Sequence, residues 1–299
     1  MDDDEFLGIP LLDAQDLEVL MHRDAHFGGN FDVMLEYYEQ KGVGVHPDFE
    51  LNRIKQLKLQ QDVSEDNLSE LLMPMPDRQM VERSKKLYHD LRSIYEKGGE
   101  ETVPRLISDL ILSEEELPQD EIDKLVVFGK ESTKLLLNLI ASDNFYDPLF
   151  PGYGRSPIFA AKALALIQDE TSIPFLFSAL GQDNFFTDEE VIKALTSFGD
   201  KSKKFLVSRL TSKPYTKENE NAIIALSSLE DDLDVALTAI AILEEEQVWQ
   251  HEGFVNYLIF ACSGLIEEKD RNRFKALLKR EGLKKHLKNE IEVVINHWK

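Results

Sequence analysis

The sequence predicts an all-α chain whose second half is a solenoid of stacked helical hairpins. Three observations carry that expectation. Apolar residues recur at helical spacing almost throughout, with no convincing run of alternating β-branched residues. A seven-residue pattern returns at a near-constant interval. Each return is followed by a short turn and a second apolar segment.

Taken in order, the first helices are expected over residues 13–27, 31–41, 48–60, 65–73 and 78–97. Gly28-Gly29 and Gly42-Val43-Gly44 punctuate the first two. Met73-Pro74-Met75-Pro76-Asp77 is the clearest break, because each proline disfavours helix in the residue before it. Asp77 is then expected to cap the long helix that follows, and Gly98-Gly99 to close it. The expected division is a helical N-terminal region over 1–76 and a repeat region over 77–299 with basic C-terminal capping helices.

Four segments carry the repeat: Lys-Leu-Val-Val-Phe-Gly-Lys from Lys124, Ala-Leu-Ala-Leu-Ile-Gln-Asp from Ala163, Ala-Leu-Thr-Ser-Phe-Gly-Asp from Ala194 and Ala-Leu-Ser-Ser-Leu-Glu-Asp from Ala225. The last three start 31 residues apart. The first starts 39 before the second, and the excess falls in an insertion around 145–155. Second helices then begin near Leu135, Phe175, Phe205 and Ala236; a fainter fifth unit runs from Phe254 to Lys279, and Val103–Ile107 reads as the second helix of a leading unit. Two helices of about a dozen residues plus two turns occupy about 30 residues, and neither buries its apolar face alone. Ala163, Ala194 and Ala225 let paired helices approach closely, and larger neighbours fill the space between hairpins. Asp169, Asp200 and Asp231 fall in the tight turns, placed to cap the next helix. Such a stack has one concave and one convex face.

These segments resemble the HEAT repeat family, in particular the short repeats of phycobiliprotein-lyase type, over residues 100–280. The resemblance rests on the Ala-Leu-x-x-apolar-x-Asp segments and on Ile173-Pro174 opening a second helix. It implies a right-handed α-α superhelical solenoid, in a family that includes scaffolds, transport receptors and a few enzymes. Many units of that family carry a basic residue about six positions past the turn aspartate. Phe175, Leu206 and Leu237 stand there in this chain, so an Asp–Arg ladder is not expected.

Charge narrows the function classes. The 56 acidic residues against 34 basic ones give −22, a field that repels phosphate backbones and anionic lipid and attracts basic partners. The same excess also keeps a long helical surface solvated. One cysteine excludes an intramolecular disulfide and thiolate-cluster metal sites. The acidic N-terminus is the opposite of a signal peptide's start, and the longest uncharged apolar-rich run, Phe254–Ile266, is too short to span a bilayer. A cytoplasmic protein is expected.

Residues with catalytic potential do not assemble into a set. His22 and His26 share a helix face, but Arg23 stands where a metalloprotease needs Glu, and no third ligand is near. Two ordinary helix histidines near a C-terminus explain them as well. His251-Glu252 is one His-Glu pair, where HEAT-like deoxyhypusine hydroxylases use four. HEAT-like alkylpurine DNA glycosylases use a basic groove, whereas residues 218–246 here hold nine acids and no Lys or Arg. Trp249 and Trp298 read as core. Cys262 lies in an apolar stretch and reads as a buried hydrophobe, and Gly42-Val43-Gly44 lacks a dinucleotide fold's strand. No catalytic, metal or cofactor site is expected.

Two features point to binding. The insertion 144–155 carries Phe145, Tyr146, Phe150 and Tyr153 among prolines and glycines, and Phe185 and Phe186 echo it one repeat later. Rigid loop aromatics make binding hot spots, or else fold back and extend the core. Residues 269–299 carry ten Lys/Arg and four Asp/Glu, a net +6 that leaves −28 on the rest. That basic end could meet an acidic partner or another copy, or be a solvated cap. The expected function is a non-enzymatic adaptor gripping a protein partner with a basic or amphipathic segment, and neither nucleic acid nor membrane. Family geometry would place Lys134, Asn138, Ser178, Lys203 and Ser208 on the second helices lining its groove. The competing class is a HEAT-like nucleic-acid or metal-dependent enzyme.

Overall fold

The computed structural model describes residues 13–40, 49–97, 102–181, 184–229 and 232–298, and among them no strand occurs. The helices are α1 (Ala14–His26), α2 (Phe31–Glu39), α3 (Leu51–Ser64), α4 (Leu68–Leu72), α5 (Met75–Lys97), α6 (Val103–Leu112), α7 (Gln119–Phe128), α8 (Lys130–Ala141) and α9 (Ser156–Ile167). They continue as α10 (Ile173–Ser178), α11 (Phe185–Ser197), α12 (Asp200–Leu210), α13 (Lys217–Leu226), α14 (Leu233–Leu243), α15 (Glu252–Ala261), α16 (Glu268–Ala276) and α17 (Lys285–His297). This is the all-α, hairpin-repeat fold that the periodicity predicts.

Helix boundaries follow local chemistry. Asp13, Asn30, Asn67, Asn184 and Asp232 each cap a helix by accepting from backbone N–H groups of its first turn. Pro104 and Pro174 sit in the first turns of α6 and α10, where a missing N–H costs nothing. Three expectations need correction. The long helix starts at Met75, so Asp77 lies in its first turn; Pro76 is tolerated there for the same reason. Asp200 is the first residue of α12, whose cap is Gly199. The cap of α14 is Asp232, whereas Asp231 and the expected punctuation at Gly42–Gly44 and Gly98-Gly99 lie outside the described residues.

The chain groups into two compact units: residues 1–128 with 142–159, and 129–141 with 160–299. The first unit therefore extends well past residue 76 and includes the insertion, because Leu149 and Phe150 are part of its core. They join Val19, Leu20, Met34, Ile54, Leu57 and Val81 from α1, α2, α3 and α5. Phe150 is 1% exposed. Gly152 makes the turn possible: at φ +87 it approaches so closely that an added Cβ would lie 2.3 Å from Ser156 Oγ and 3.1 Å from the Ile111 carbonyl. Ser84 Oγ donates to the Leu149 carbonyl at 2.7 Å, and Arg155 donates to the carbonyls of Ser113 and Glu115. Arg23, also 1% exposed, donates to Asp24, Gln61, Asn67 and Ser69 beneath the ring of Phe31.

The second unit is a run of hairpins stacked in sequence order. Ala163, Ala194 and Ala225 are buried, as close helix packing requires. The turn position before Lys130, Asp169 and Asp200 has positive φ in each case: Gly129 at 57, Gln168 at 58 and Gly199 at 58. Consecutive hairpins are tied at roughly one-repeat intervals. Lys201 bonds Glu170; Lys203 bonds Asp232 and Asp234 at 2.8 Å; Lys213 bonds Glu245 at 2.6 Å; Arg273 bonds Glu244 at 2.7 Å. Arg280 and Lys284 reach Glu246 and Glu252 in the same way. A lysine- and arginine-to-carboxylate ladder thus stands where the Asp–Arg ladder does not.

Candidate partner-binding surface

Two depressions of the second unit meet at α15: one is lined mainly by the first helices α11, α13 and α15, the other by the α13–α14 turn, α14, α15 and α17. One, of about 550 Å³, lies between Gly181, Asp188, Glu189 and Ile192 on one hairpin, Lys217, Asn221 and Ile224 on the next, and Tyr257 on a third. The other, of about 480 Å³, lies between Leu226, Leu229, Asp232 and Val235, then Phe260 of α15, then Val293 and His297 of α17. Both follow from how α15 is built. Phe254, Val255, Leu258, Ile259 and Cys262 of its apolar run face the core, which leaves Tyr257 and Phe260 on the outer side. Phe260 is 46% exposed, Tyr257 37% and Val293 60%. Exposed aromatic and aliphatic groups lining a depression are the usual anchors of a protein contact.

Several carboxylates of this unit are held below their usual range. Burial raises Asp232, but Lys203 and the N–H groups of Val235 and Asp234 outweigh it and hold the carboxyl below its usual range. Lys213 holds Glu245 down, and Lys284 does the same for Glu252.

The candidates named from sequence are dispersed. Phe150 is core and unavailable at the surface. Tyr153 lies tilted against His26 with ring centroids 4.5 Å apart, and its phenol is pushed up, first by burial and then by Tyr88 and Tyr37. Phe145 and Tyr146 are half-buried in the same folded segment, so the insertion packs within the first unit. Phe186 is exposed; Phe185 opens α11 behind its cap Asn184 rather than standing on a loop, and its side chain is outside the described ones. Lys134, Asn138, Ser178 and Ser208 are exposed on α8, α10 and α12, with Ser178 Oγ donating to the Phe175 carbonyl. Lys203 is already paired across a repeat junction.

Groups with chemical potential are engaged structurally. Burial pushes the Cys262 thiol well up, away from nucleophilic thiolate. Trp249 donates to the Leu243 carbonyl under Arg280, and Trp298 donates to the Ser263 carbonyl against Phe274. Glu252 pairs with Lys284 and His286. Among the described residues, no three His, Cys, Asp or Glu side chains converge as metal ligands. No described helix is long and apolar enough to cross a membrane.

Sequentially stacked hairpins with a recurrent turn and junction contacts one repeat apart define a helical-repeat protein. Residues 156–227 match the family described as HEAT repeats. Nothing among the curated proteins or the solved structures matches the chain.

Tyr257 and Phe260 were not among the candidates named from sequence, which places them only within the apolar run Phe254–Ile266 and the fifth unit. Tyr257 and Phe260 belong to that run, and only the packing of α15 separates its two faces.

Proposed function

We propose that this chain is a non-enzymatic scaffold, acting in the cytoplasm, that holds a protein partner where these two depressions meet at α15. Tyr257 and Phe260 are the central anchors, flanked by Ile192, Ile224 and Val293. The partner segment is amphipathic, with apolar residues for the depressions and Lys or Arg for the acidic rims. The observation that carries the reading is the exposed Tyr257–Phe260 face between two adjoining depressions. HEAT repeats commonly serve as protein-interaction scaffolds, and the acidic surplus selects a basic complement. A helical partner segment suits the surface, because a helix satisfies its own backbone and presents side chains alone.

Co-purification from the native cell tests this. The expected result is a partner retained by the unaltered chain and by Lys134→Glu with Ser208→Glu, and lost with Tyr257→Glu plus Phe260→Glu. Since Tyr257 and Phe260 are exposed, the double variant should keep its helical signal. Retention by that variant, with loss on the second-helix substitutions, would move the site to the second helices. A chain that captures nothing reproducibly would sink the scaffold reading.

A further inference from the structure

The first unit holds a small polar depression of about 260 Å³ between the end of α1 and the middle of α5. Its walls include Asp24, His26, Lys85, Tyr88, His89 and Arg92. Lys85, Tyr88, His89 and Arg92 share one face of α5 through their three- and four-residue spacing. In an acidic chain this helix is basic: residues 78–97 hold six Lys/Arg against three Asp/Glu.

Arg92 sets the site apart. The chain has eleven arginines. Ten of them bond or pair with protein groups: Arg23, Arg53, Arg78, Arg83, Arg105, Arg155, Arg209, Arg271, Arg273 and Arg280. Among the described residues Arg92 has no hydrogen-bond or ion-pair partner, and it lines the depression. The remaining wall leaves that positive charge uncancelled. Asp24 is taken by buried Arg23 at 2.6 Å. Lys85 meets only Glu82, in an exposed pair of the kind that contributes little and exchanges readily. Tyr88 donates to or accepts from His26 Nδ1 at 2.7 Å, and burial raises its phenol to about 12, so it brings no negative charge. His26 Nε2 donates to the Pro148 carbonyl, which fixes the ring as part of the wall.

We infer that this depression binds a tetrahedral phosphate dianion, either free orthophosphate or a small phosphate monoester. The planar fork of Arg92 matches two oxygens of such a group, Lys85 supplies a point charge to a third, and His89 can add a donor. The volume accommodates a phosphoryl group with a short stub and is too small for a drug-sized ligand. The overall negative charge opposes approach only weakly at physiological salt, where screening confines interactions to about 8 Å. The inference is independent of the partner-binding face, which lies in the other unit.

Calorimetric titration of the full chain with orthophosphate, in a phosphate-free buffer, tests it. One saturable site is expected, weakened about tenfold by Arg92→Ala, as loss of a charge-assisted contact requires. Lys85→Ala should weaken it less, and Lys134→Ala, which does not line the depression, should not change it. Circular dichroism checks that each variant stays folded. Arg92→Lys separates fork geometry from charge: partial loss is expected. O-phosphoserine distinguishes the sources: equal affinity assigns the site to the phosphoryl group alone, tighter binding to a monoester. Absence of saturation up to about 10 mM, corresponding to less than about 3 kcal/mol, would overturn the inference. So would unchanged affinity in Arg92→Ala.

Discussion

Arg23 illustrates how single residues in this chain are specified by their surroundings. It stands between His22 and Asp24 on α1, where sequence alone gives an ordinary helix arginine. In the fold its guanidinium is fully buried and donates to Asp24, Gln61, Asn67 and Ser69. Those acceptors come from α1, α3 and the start of α4, so one side chain joins three elements. Arg23→Ala is expected to destabilise the first unit by about 3 kcal/mol or more, because it leaves several buried acceptors without a donor. Urea unfolding followed by circular dichroism measures this. A loss under about 1 kcal/mol would mean that water replaces the guanidinium and that its burial is not required.

At the scale of elements, the repeat turn is the unit of construction. Gly129, Gln168 and Gly199 all have positive φ just before the second segment of the hairpin begins. Gln168 adopts it with a side chain, and its amide donates to Ser197 Oγ of the next hairpin at 3.0 Å. Gly199 has nothing within 4 Å of an added Cβ, so a substitution there changes backbone strain alone. At φ 58 and ψ −131 a residue with a Cβ is strained, so Gly199→Val should cost about 1–3 kcal/mol without altering core packing. A denaturant midpoint equal to that of the unaltered chain would show that the turn can relax. The insertion is an element of another kind. Its aromatics suggested a surface loop, yet Leu149 and Phe150 fill the first unit's core and Gly152 sits against α6.

Across the molecule, the negative charge is organised rather than merely carried. Asp169, Glu190, Asp232, Glu245 and Glu252 all have carboxyls held below their ordinary range in the folded state. In the first three, burial raises the carboxyl but is outweighed by hydrogen bonds and nearby lysines; lysine bonds lead in the last two. A folded-state value below the unfolded one stabilises the fold above about pH 4 and ceases to do so as pH falls through the folded value. Thermal midpoints should accordingly fall between about pH 6 and about pH 3. Lys203→Met should start lower at pH 6 and lose less on acidification, because Asp232 no longer has its partner. Parallel pH profiles for the two chains would exclude that pair from the linkage.

The sequence by itself determined the helices, the order of the hairpins and the 31-residue interval, because these depend on local spacing and on turns written next to the helices they join. Ala163, Ala194 and Ala225 announced close packing, and Ile173-Pro174 announced the start of a second helix. Tertiary structure alone decided which side of each helix stays wet. Phe150 and Phe260 are both aromatics in apolar surroundings, yet one is covered by α1 and α5 neighbours while the other is left at a depression. Arg92 and Arg23 are equally charged in the sequence, and only the positions of distant acceptors on α3 and α4 make one of them buried and bonded and leave the other facing solvent. Burial and pairing are properties of residues far apart in the chain, and no local pattern encodes them.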